Sequence, residues 1–507
     1  MSEGIHHITA ITASVQANVD FYAGFLGLRL VKQTAGFADG AQLHLFYGDA
    51  AGSPGSLISF LVWEAGARGR TGFGQPSEIA LAVPPDSIGD WLARALAAQV
   101  PVDGPSHEFA EPVLRLKDPD GLIVKMVGTN MPAAAPLPHK QAPTRLRGAT
   151  LLSAVADDSA AFLTRFGYRE VARAGAIRRM ASTRDVIDLR DAAGYVPAIP
   201  GTGMIDHVAF RAPTEAAVDT MARHLDQADH LTGLRDRRYF RSLYVRDPGG
   251  LLFELASDGP GLGVDESPDQ LGRTLMIPPH DTPRAAELRV KLPQFALPGE
   301  ERMPMRDLAF THRIHHPDTP DGSAIIHLHG TGGDESDLMP LAHSIAPNAV
   351  LVGVRGRSTE EGINRWFRRF DAITYDQDDI RAEAEAFTGF VEGAVRSYGL
   401  DPDKLHFLGY SNGANLLGAV MLLHPGVVKR AILLRGIAAL SAPPKADLKG
   451  THVLMASGMQ DPFAQFAPPL EAALKDSGAT VDARTLPTGH GLTSADRDLA
   501  ASWLWGL

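Results

Sequence analysis

Ile205-Asp206-His207-Val208-Ala209-Phe210 and, further on, Asp247-Pro248-Gly249-Gly250-Leu251-Leu252-Phe253-Glu254-Leu255 decide how the first half of this chain is read. Both runs are rich in β-branched and aromatic residues and are bounded by turn formers, which predicts two strands. Between them, Glu215 to Ala228 has the spacing of a helix. The unit is therefore a strand, a helix and several more strands, and it carries one imidazole and one carboxylate where a metal could sit.

The unit recurs. Asp118-Pro119-Asp120-Gly121-Leu122-Ile123-Val124-Lys125 aligns with Asp247 to Glu254, and Ser77 to Pro85 aligns with Ile205 to Pro213, followed by a helix-like Ile88 to Ala98. Two fainter copies open at Gly4 to Ala13 and at Gly148 to Ala156. The first continues through a short helix, Val19 to Leu28, to a last strand ending at Phe60. The third continues through Ala160 to Tyr168, with a last strand placed near Val186 to Leu189. The Pro/Ala-rich Thr129 to Thr144 reads as a linker between the two pairs of modules.

The copies act as a control on one another. In this alignment Ile79 stands where the last module has His207, and Lys125 and Phe60 stand where it has Glu254. The histidine and glutamate are thus not what the module needs in order to pack. The first module offers a third ligand at the place corresponding to His207, in Gly4-Ile5-His6-His7-Ile8-Thr9. Strand alternation puts His7 and Thr9 on one face and His6 on the other. Two imidazoles and one carboxylate, with positions left for water, substrate or dioxygen, form the facial arrangement of non-haem Fe(II) sites, so His7, His207 and Glu254 are the expected metal ligands.

Composition bounds the partners. A net charge of −11 leaves no basic stripe to replace the counterions of a phosphate backbone, which argues against nucleic acid and anionic membranes and leaves small organic substrates. The absence of cysteine excludes thiolate ligands, thiol nucleophiles and disulfides. No apolar run approaches membrane-spanning length and Met1 leads straight into a strand, so a soluble, cytoplasmic protein is expected. An oligomer is compatible with everything above.

Beyond the Gly-, Pro- and charge-rich Ser257 to Met305 the grammar changes. Apolar strands at Ala324 to His329, Ala349 to Val354, Leu405 to Gly409 and His452 to Ala456 alternate with helical stretches, the signature of a parallel α/β sheet. The third strand runs into Gly409-Tyr410-Ser411-Asn412-Gly413 and then a helix, which is G-x-S-x-G in the strand-turn-helix context that exposes a nucleophilic serine. Asp461 and His490 follow in the required order, each in a loop after a strand, as orienting acid and base. Backbone N–H groups of Asn412 and of Thr331, in His329-Gly330-Thr331-Gly332-Gly333, are the expected oxyanion donors. Arg355, Arg357 and Arg365 read as a solvated basic surface, or as a receiver of an anionic substrate. The short interval between Arg435 and His452 leaves no room there for a large lid, which favours short acyl esters, lactones or thioesters.

With HHIT at the start, DHVAF later and DPGGLLFEL at the end, residues 4 to 293 resemble the vicinal oxygen chelate superfamily of βαβββ modules, and within it the ring-cleaving dioxygenases of hydroquinones. The tail Asp265 to Gly272 shares that likeness. The resemblance implies Fe(II), with Mn(II), Zn(II) or Ni(II) as alternatives, a small aromatic or quinone-derived substrate with dioxygen, and supporting roles for His6, Thr9, Arg237 and Tyr244 in holding phenolate and oxygen and moving a proton. It departs at Asp206, where such relatives often carry a second histidine. Residues 306 to 507 resemble the small carboxylesterase and phospholipase branch of the α/β-hydrolases. The expected organisation is 1–128 for modules 1 and 2, 129–145 as linker, 146–293 for modules 3 and 4 with the tail, 294–305 as linker and 306–507 for the hydrolase. Together these imply a bifunctional dioxygenase and serine esterase. A glyoxalase-like isomerase or lyase and a non-catalytic aromatic-binding module are the competing readings of the first half.

Overall fold

The computed structural model describes residues 4–64, 66–139, 141–225, 233–302 and 306–506. The chain divides into two compact units, Met1–Ala285 with Gln294–Arg302, and Ala286–Pro293 with Met303–Leu507. No helix of the described residues is long and apolar enough to cross a membrane.

The first unit holds four modules. In each, the opening strand pairs in parallel with the last strand: Ile5–Thr12 with Leu57–Val62, Gln75–Val83 with Ile123–Gly128, Arg145–Ser153 with Val186–Asp191, and Met204–Ala212 with Leu252–Pro260. A helical crossover follows each opening strand. In the second module it is Ile88–Ala97, which buries Ile88, Trp91 and Ala95 at helical spacing and leaves Leu96 exposed. In the fourth it is Glu215–His224, N-capped by the Thr214 side chain; the last part of the predicted helix, 226–228, lies outside the described residues, as does 303–305 of the predicted connection.

Opening strands pair antiparallel to join modules. Ile5–Thr12 pairs with Met204–Ala212, which puts the first and fourth modules in one nine-stranded sheet. Gln75–Val83 pairs with Arg145–Ser153, which puts the second and third in an eight-stranded sheet. The tail is not irregular: Leu275–Met276 adds in parallel to the edge strand Arg29–Ala35, and Glu266 accepts a bond of 2.7 Å from the fully buried Lys32.

The strand registers correct two alignments. Opposite their partner strands, His7, Glu78, Gly148 and His207 occupy equivalent places, as do Ser59, Lys125, Asp188 and Glu254. The place of His207 in the second module therefore belongs to Glu78 and not Ile79; the adjacent prolines Pro84 and Pro85 allow a one-residue slip, and Pro84 is the one that matches Pro213. Likewise Ser59 and not Phe60 stands for Glu254. A slip of one residue exchanges the two faces of a strand, so the correction matters chemically.

It shows what the second pair of modules puts in place of a metal site. At Gly148 a Cβ would fall 2.0 Å from the Val186 carbonyl oxygen, so no side chain fits where His7 would be. Lys125, 2% exposed, sends its ammonium to Glu78 at 3.3 Å, Glu108 at 3.1 Å and Asp188 at 3.4 Å. Arg179 adds two bonds to Asp188 and Arg115 one to Glu78. A permanent internal cation thus stands where the other pair has its three converging side chains, and removing it would leave Glu78 and Asp188 each with an arginine but one counter-charge short.

The second unit is a seven-stranded sheet in the order His312–His315, Val350–Val354, Ala324–Leu328, Leu405–Tyr410, Arg430–Leu434, His452–Gly458, Thr480–Leu486. All neighbours are parallel except the edge strand His312–His315. Apolar clusters lie on both faces, which is why its central strands are continuous apolar runs and not alternating ones.

Candidate functional sites

The antiparallel register of the two opening strands sets the candidate metal centre. His7 faces Ala209, Ala209 faces Glu254 in parallel register, and Thr9 faces His207. His7, His207 and Glu254 point to one spot, with ligand atoms all within 4.8 Å of one another. Glu254 Oε2 lies 3.2 Å from His7 Nε2 and 2.9 Å from His207 Nε2. Cis ligands of a single ion, each about 2.1 Å from it, are spaced by about 3 Å, so the donor set fits a divalent cation. Apart from these approaches to one another, the buried Glu254 oxygens and His207 Nε2 have no hydrogen-bond partner, as expected of atoms meant for an ion.

Each ligand ring is held from behind by the residue before it. His7 Nδ1 lies 2.9 Å from His6 Nδ1, and His207 Nδ1 lies 2.6 Å from Asp206 Oδ2. Register shifts between Ile5 and His7 and between Thr9 and Ala10 bend the paired strands locally. His6 does not line the adjoining cavity; its ring packs on Phe240 and His7. Asp206 does line it, besides orienting His207. Engaging Nδ1 in this way fixes the tautomer that leaves Nε2 for a metal.

A cavity of about 160 Å³ lies against the cluster, walled by Phe37, Phe46, Leu61 and Phe240 and reached by His7, Thr9, Arg237 and Tyr244. Tyr244 is directly opposite Glu254 across the antiparallel pair and so shares its face. Arg237 Nη2 donates to the Tyr244 hydroxyl at 3.3 Å, and its guanidinium lies 5.5 Å from the ring centre. Thr9 Oγ1 is 2.9 Å from Ser59 Oγ. His44, which carries no repeat or motif signal in the sequence, also reaches this cavity.

The protons distribute unevenly. Burial opposes charge on His207, but the bonds and charges of Asp206 and Glu254 outweigh it and raise its pKa to about 9. Burial keeps His7 below the ordinary imidazole value despite Glu254, and burial with the neighbouring His7 brings His6 to about 3. Burial would raise Glu254, yet His7 and His207 hold it well below the carboxylate range. Without a cation the site therefore carries its proton on His207 at pH 7, and a metal taken up by Nε2 must displace it. Titrating metal-free protein with Zn(II) in buffers of different ionisation enthalpy is expected to show about one proton released per ion at pH 7, fading as the pH rises past about 9; release that does not change with pH would contradict this.

The second unit holds a hydrogen-bonded series. His490 Nε2 is 3.1 Å from Ser411 Oγ, and His490 Nδ1 is 2.9 Å from Asp461 Oδ2. Ser411 sits at φ +50°, a strained conformation for a residue with a side chain, between the Leu405–Tyr410 strand and the Asn412–Leu423 helix. That turn closes because Gly413 lies so near Leu328 and His329 that a Cβ would fall 2.4 Å from the Leu328 carbonyl oxygen. The turn bearing Thr331 lies beside the serine, since a Cβ on Gly330 would be 3.6 Å from the Ser411 Cβ. It is fixed by bonds of Gly332 N–H to Asn364 O, Asn364 Nδ2 to Gly333 O and Trp366 Nε1 to His329 O, while the Asn412 side chain accepts from Trp366 N–H. A serine, imidazole and carboxylate in this order can attack an acyl carbon and return the proton to the leaving group.

Arg435 is a residue that motif reading misses. It follows an apolar strand, has φ +58° and is buried, ion-paired to the equally buried Asp496 at 2.6 Å. The same guanidinium donates to Gly489 O at 2.9 Å, to Thr488 Oγ1 at 2.9 Å and to Gly491 O at 3.4 Å, clasping the loop on both sides of His490. Tyr410 adds a bond from its hydroxyl to His490 O at 3.1 Å. Of the arginines read as a solvated or anion-receiving surface, Arg357 is exposed and makes two bonds to Glu383, while Arg355 makes two bonds to Glu335 and Arg365 is buried beside Glu361.

Both units have relatives among known proteins. Residues 4–126 match the Glyoxalase/Bleomycin resistance protein/Dioxygenase superfamily. MhqO of Bacillus subtilis (strain 168), assigned as a ring-cleaving dioxygenase, is 35% identical over 312 residues, 59% of this chain and 97% of MhqO. The chlorohydroquinone/hydroquinone 1,2-dioxygenase of Sphingobium indicum is 33% identical over 301 residues, 55% of this chain and 92% of that enzyme. MhqD of B. subtilis (strain 168), assigned as a hydrolase, is 31% identical over 192 residues, 38% of this chain and 96% of MhqD. The chain belongs to the ring-cleaving dioxygenase family of the glyoxalase/dioxygenase superfamily and carries, in the same polypeptide, an α/β-hydrolase related to MhqD.

Proposed function

We propose that the first unit is an Fe(II)-dependent dioxygenase that opens the ring of hydroquinone-type phenols, and that the second is a serine hydrolase of short acyl esters, lactones or thioesters. The observation that carries the first part is the convergence of His7, His207 and Glu254 beside a cavity the size of one aromatic ring. Held by those three ligands, ferrous iron would supply the electron transfer to dioxygen that ring opening requires. His6 and Asp206 orient the ligand rings. Burial pushes the Tyr244 phenol above its usual pKa, which keeps it a proton donor at neutral pH. With Arg237 beside it, Tyr244 is placed to hold a phenolate oxygen or dioxygen and to move a proton to it. Thr9, bonded to Ser59, supports the same wall.

In the hydrolase, Ser411 is the nucleophile, His490 the base and Asp461 its orienter, with N–H groups of Thr331 and Asn412 receiving the oxyanion. The segment between the strands Arg430–Leu434 and His452–Gly458 forms no helix or strand, which suits a small acyl group better than a long lipid. One chain makes the two activities equimolar, as fits joint breakdown or detoxification of quinone-type compounds in the cytoplasm.

Protein loaded with Fe(II) under anaerobic conditions is expected to take up oxygen on addition of hydroquinone, and Ser411→Ala to keep that uptake while losing hydrolysis of a short p-nitrophenyl ester by on the order of 10⁴-fold or more. No oxygen uptake with any hydroquinone would refute the first assignment, and retained ester hydrolysis the second. Arg435 acts as a positioning residue through the His490 loop. Arg435→Met is expected to lower kcat for the ester by about 100-fold with KM little changed and an altered kcat–pH profile, and Arg435→Lys to recover part of the loss; a kcat that survives Arg435→Met would show that the clasp does not place the imidazole.

A further inference from the structure

Among the described residues lining the 160 Å³ cavity, four polar atoms are shielded from solvent and, the mutual approaches of the candidate metal ligands aside, have no hydrogen-bond partner: His207 Nε2, both carboxylate oxygens of Glu254, and His44 Nε2. The first three belong to the metal ligands and are satisfied when an ion binds. The fourth is not, and an unsatisfied nitrogen in a cavity wall calls for a partner that arrives with the ligand.

The position of His44 says which part of the ligand that is. In the nine-stranded sheet, Glu254, His207 and His7 lie on three consecutive strands, and Tyr244 lies one strand beyond Glu254. His44 is on the opposite flank: it faces Leu61, and Leu61 faces Ile11, so it stands two strands, about 10 Å, from the strand of His7. Ile11 and His7 have even spacing and share a face, and the His44 row is on that face. Its ring is packed on Phe46 with centres 4.2 Å apart, which fixes its plane. Two hydroxyls on this flank are already engaged, Thr9 with Ser59 and Thr34 with the carbonyls of Ala35 and Met276, and Gln42 also reaches the cavity. Between the metal ligands and His44 the wall carries Phe46 and Leu61, together with the Thr9 hydroxyl already bonded to Ser59.

Resting on the ring-cleavage reading of this site, we propose that His44 Nε2 hydrogen-bonds the ring hydroxyl farthest from the metal ligands and so makes the site selective for para-dihydroxybenzenes. The cavity admits one ring. A catechol presents both oxygens at one edge and would leave His44 facing C–H bonds, and a simple phenol lacks the second oxygen. A para-dihydroxybenzene has oxygens at opposite ends and serves both. A site built around a hydroxyl discriminates against ligands without it because its own polar group is then left unpaired.

The test is equilibrium binding of hydroquinone, catechol and phenol to the full-length, Fe(II)-loaded protein under argon, with iron content measured alongside. Wild-type protein is expected to bind hydroquinone about 10- to 100-fold more tightly than phenol. His44→Phe should bring hydroquinone to the level of phenol without changing phenol affinity or iron content, and His44→Gln should restore part of the preference. A preference that persists in His44→Phe, or equal weakening of hydroquinone and phenol in both variants, would overturn the role of His44 while leaving the ring-cleavage reading standing. If the wild-type protein binds none of the three phenols, that reading fails and this one falls with it.

Discussion

Antiparallel pairing between Ile5–Thr12 and Met204–Ala212 is the constraint on which the first unit depends. Neither strand carries a complete site: one brings His7, the other His207, and Glu254 comes from the parallel neighbour of the second. A shift of one residue between the two opening strands would turn His7 to the opposite face and dissolve the cluster. The bonds from His6 and Asp206 and the register shifts of the pair are local adjustments to that fixed geometry.

The same pairing occurs a second time, between Gln75–Val83 and Arg145–Ser153, and there it has been put to a different use. Lys125 in the place of Glu254, Glu78 in the place of His207 and Gly148 in the place of His7 put a tethered ammonium where the first pair has its candidate metal centre. The second pair gathers carboxylates around a tethered cation, whereas the first gathers two imidazoles and one carboxylate around a spot open to an ion. Only one of them leaves coordination positions for chemistry. The hydrolase unit shows a comparable economy: an arginine–aspartate pair buried out of water serves, through three further bonds, to fix the loop of its imidazole.

Much of this could be read from residues alone because the signals are local or repeated. Asp-Pro-x-Gly endings exposed the modules, and the strand-turn-helix setting of Gly409 to Gly413 exposed the elbow at Ser411. What escaped was register. Pro84 and Pro85 are interchangeable to a pattern but not to a ladder of hydrogen bonds, hence Ile79 for Glu78. The face of Tyr244 was settled only by its pairing with Glu254. His44 and Arg435 sit in or beside apolar strands without spacing that marks them, and their significance comes from neighbours far away in sequence, Ile11 through Leu61 in one case and Asp496 with the loop around His490 in the other.

Anomalous diffraction at the iron edge from crystals loaded with Fe(II) without oxygen would locate the ion. One strong peak is expected within bonding distance of His7 Nε2, His207 Nε2 and a Glu254 oxygen, and no peak among Lys125, Glu78 and Asp188. Iron bound elsewhere in the chain with that triad empty, or iron in both sheets, would contradict this assignment.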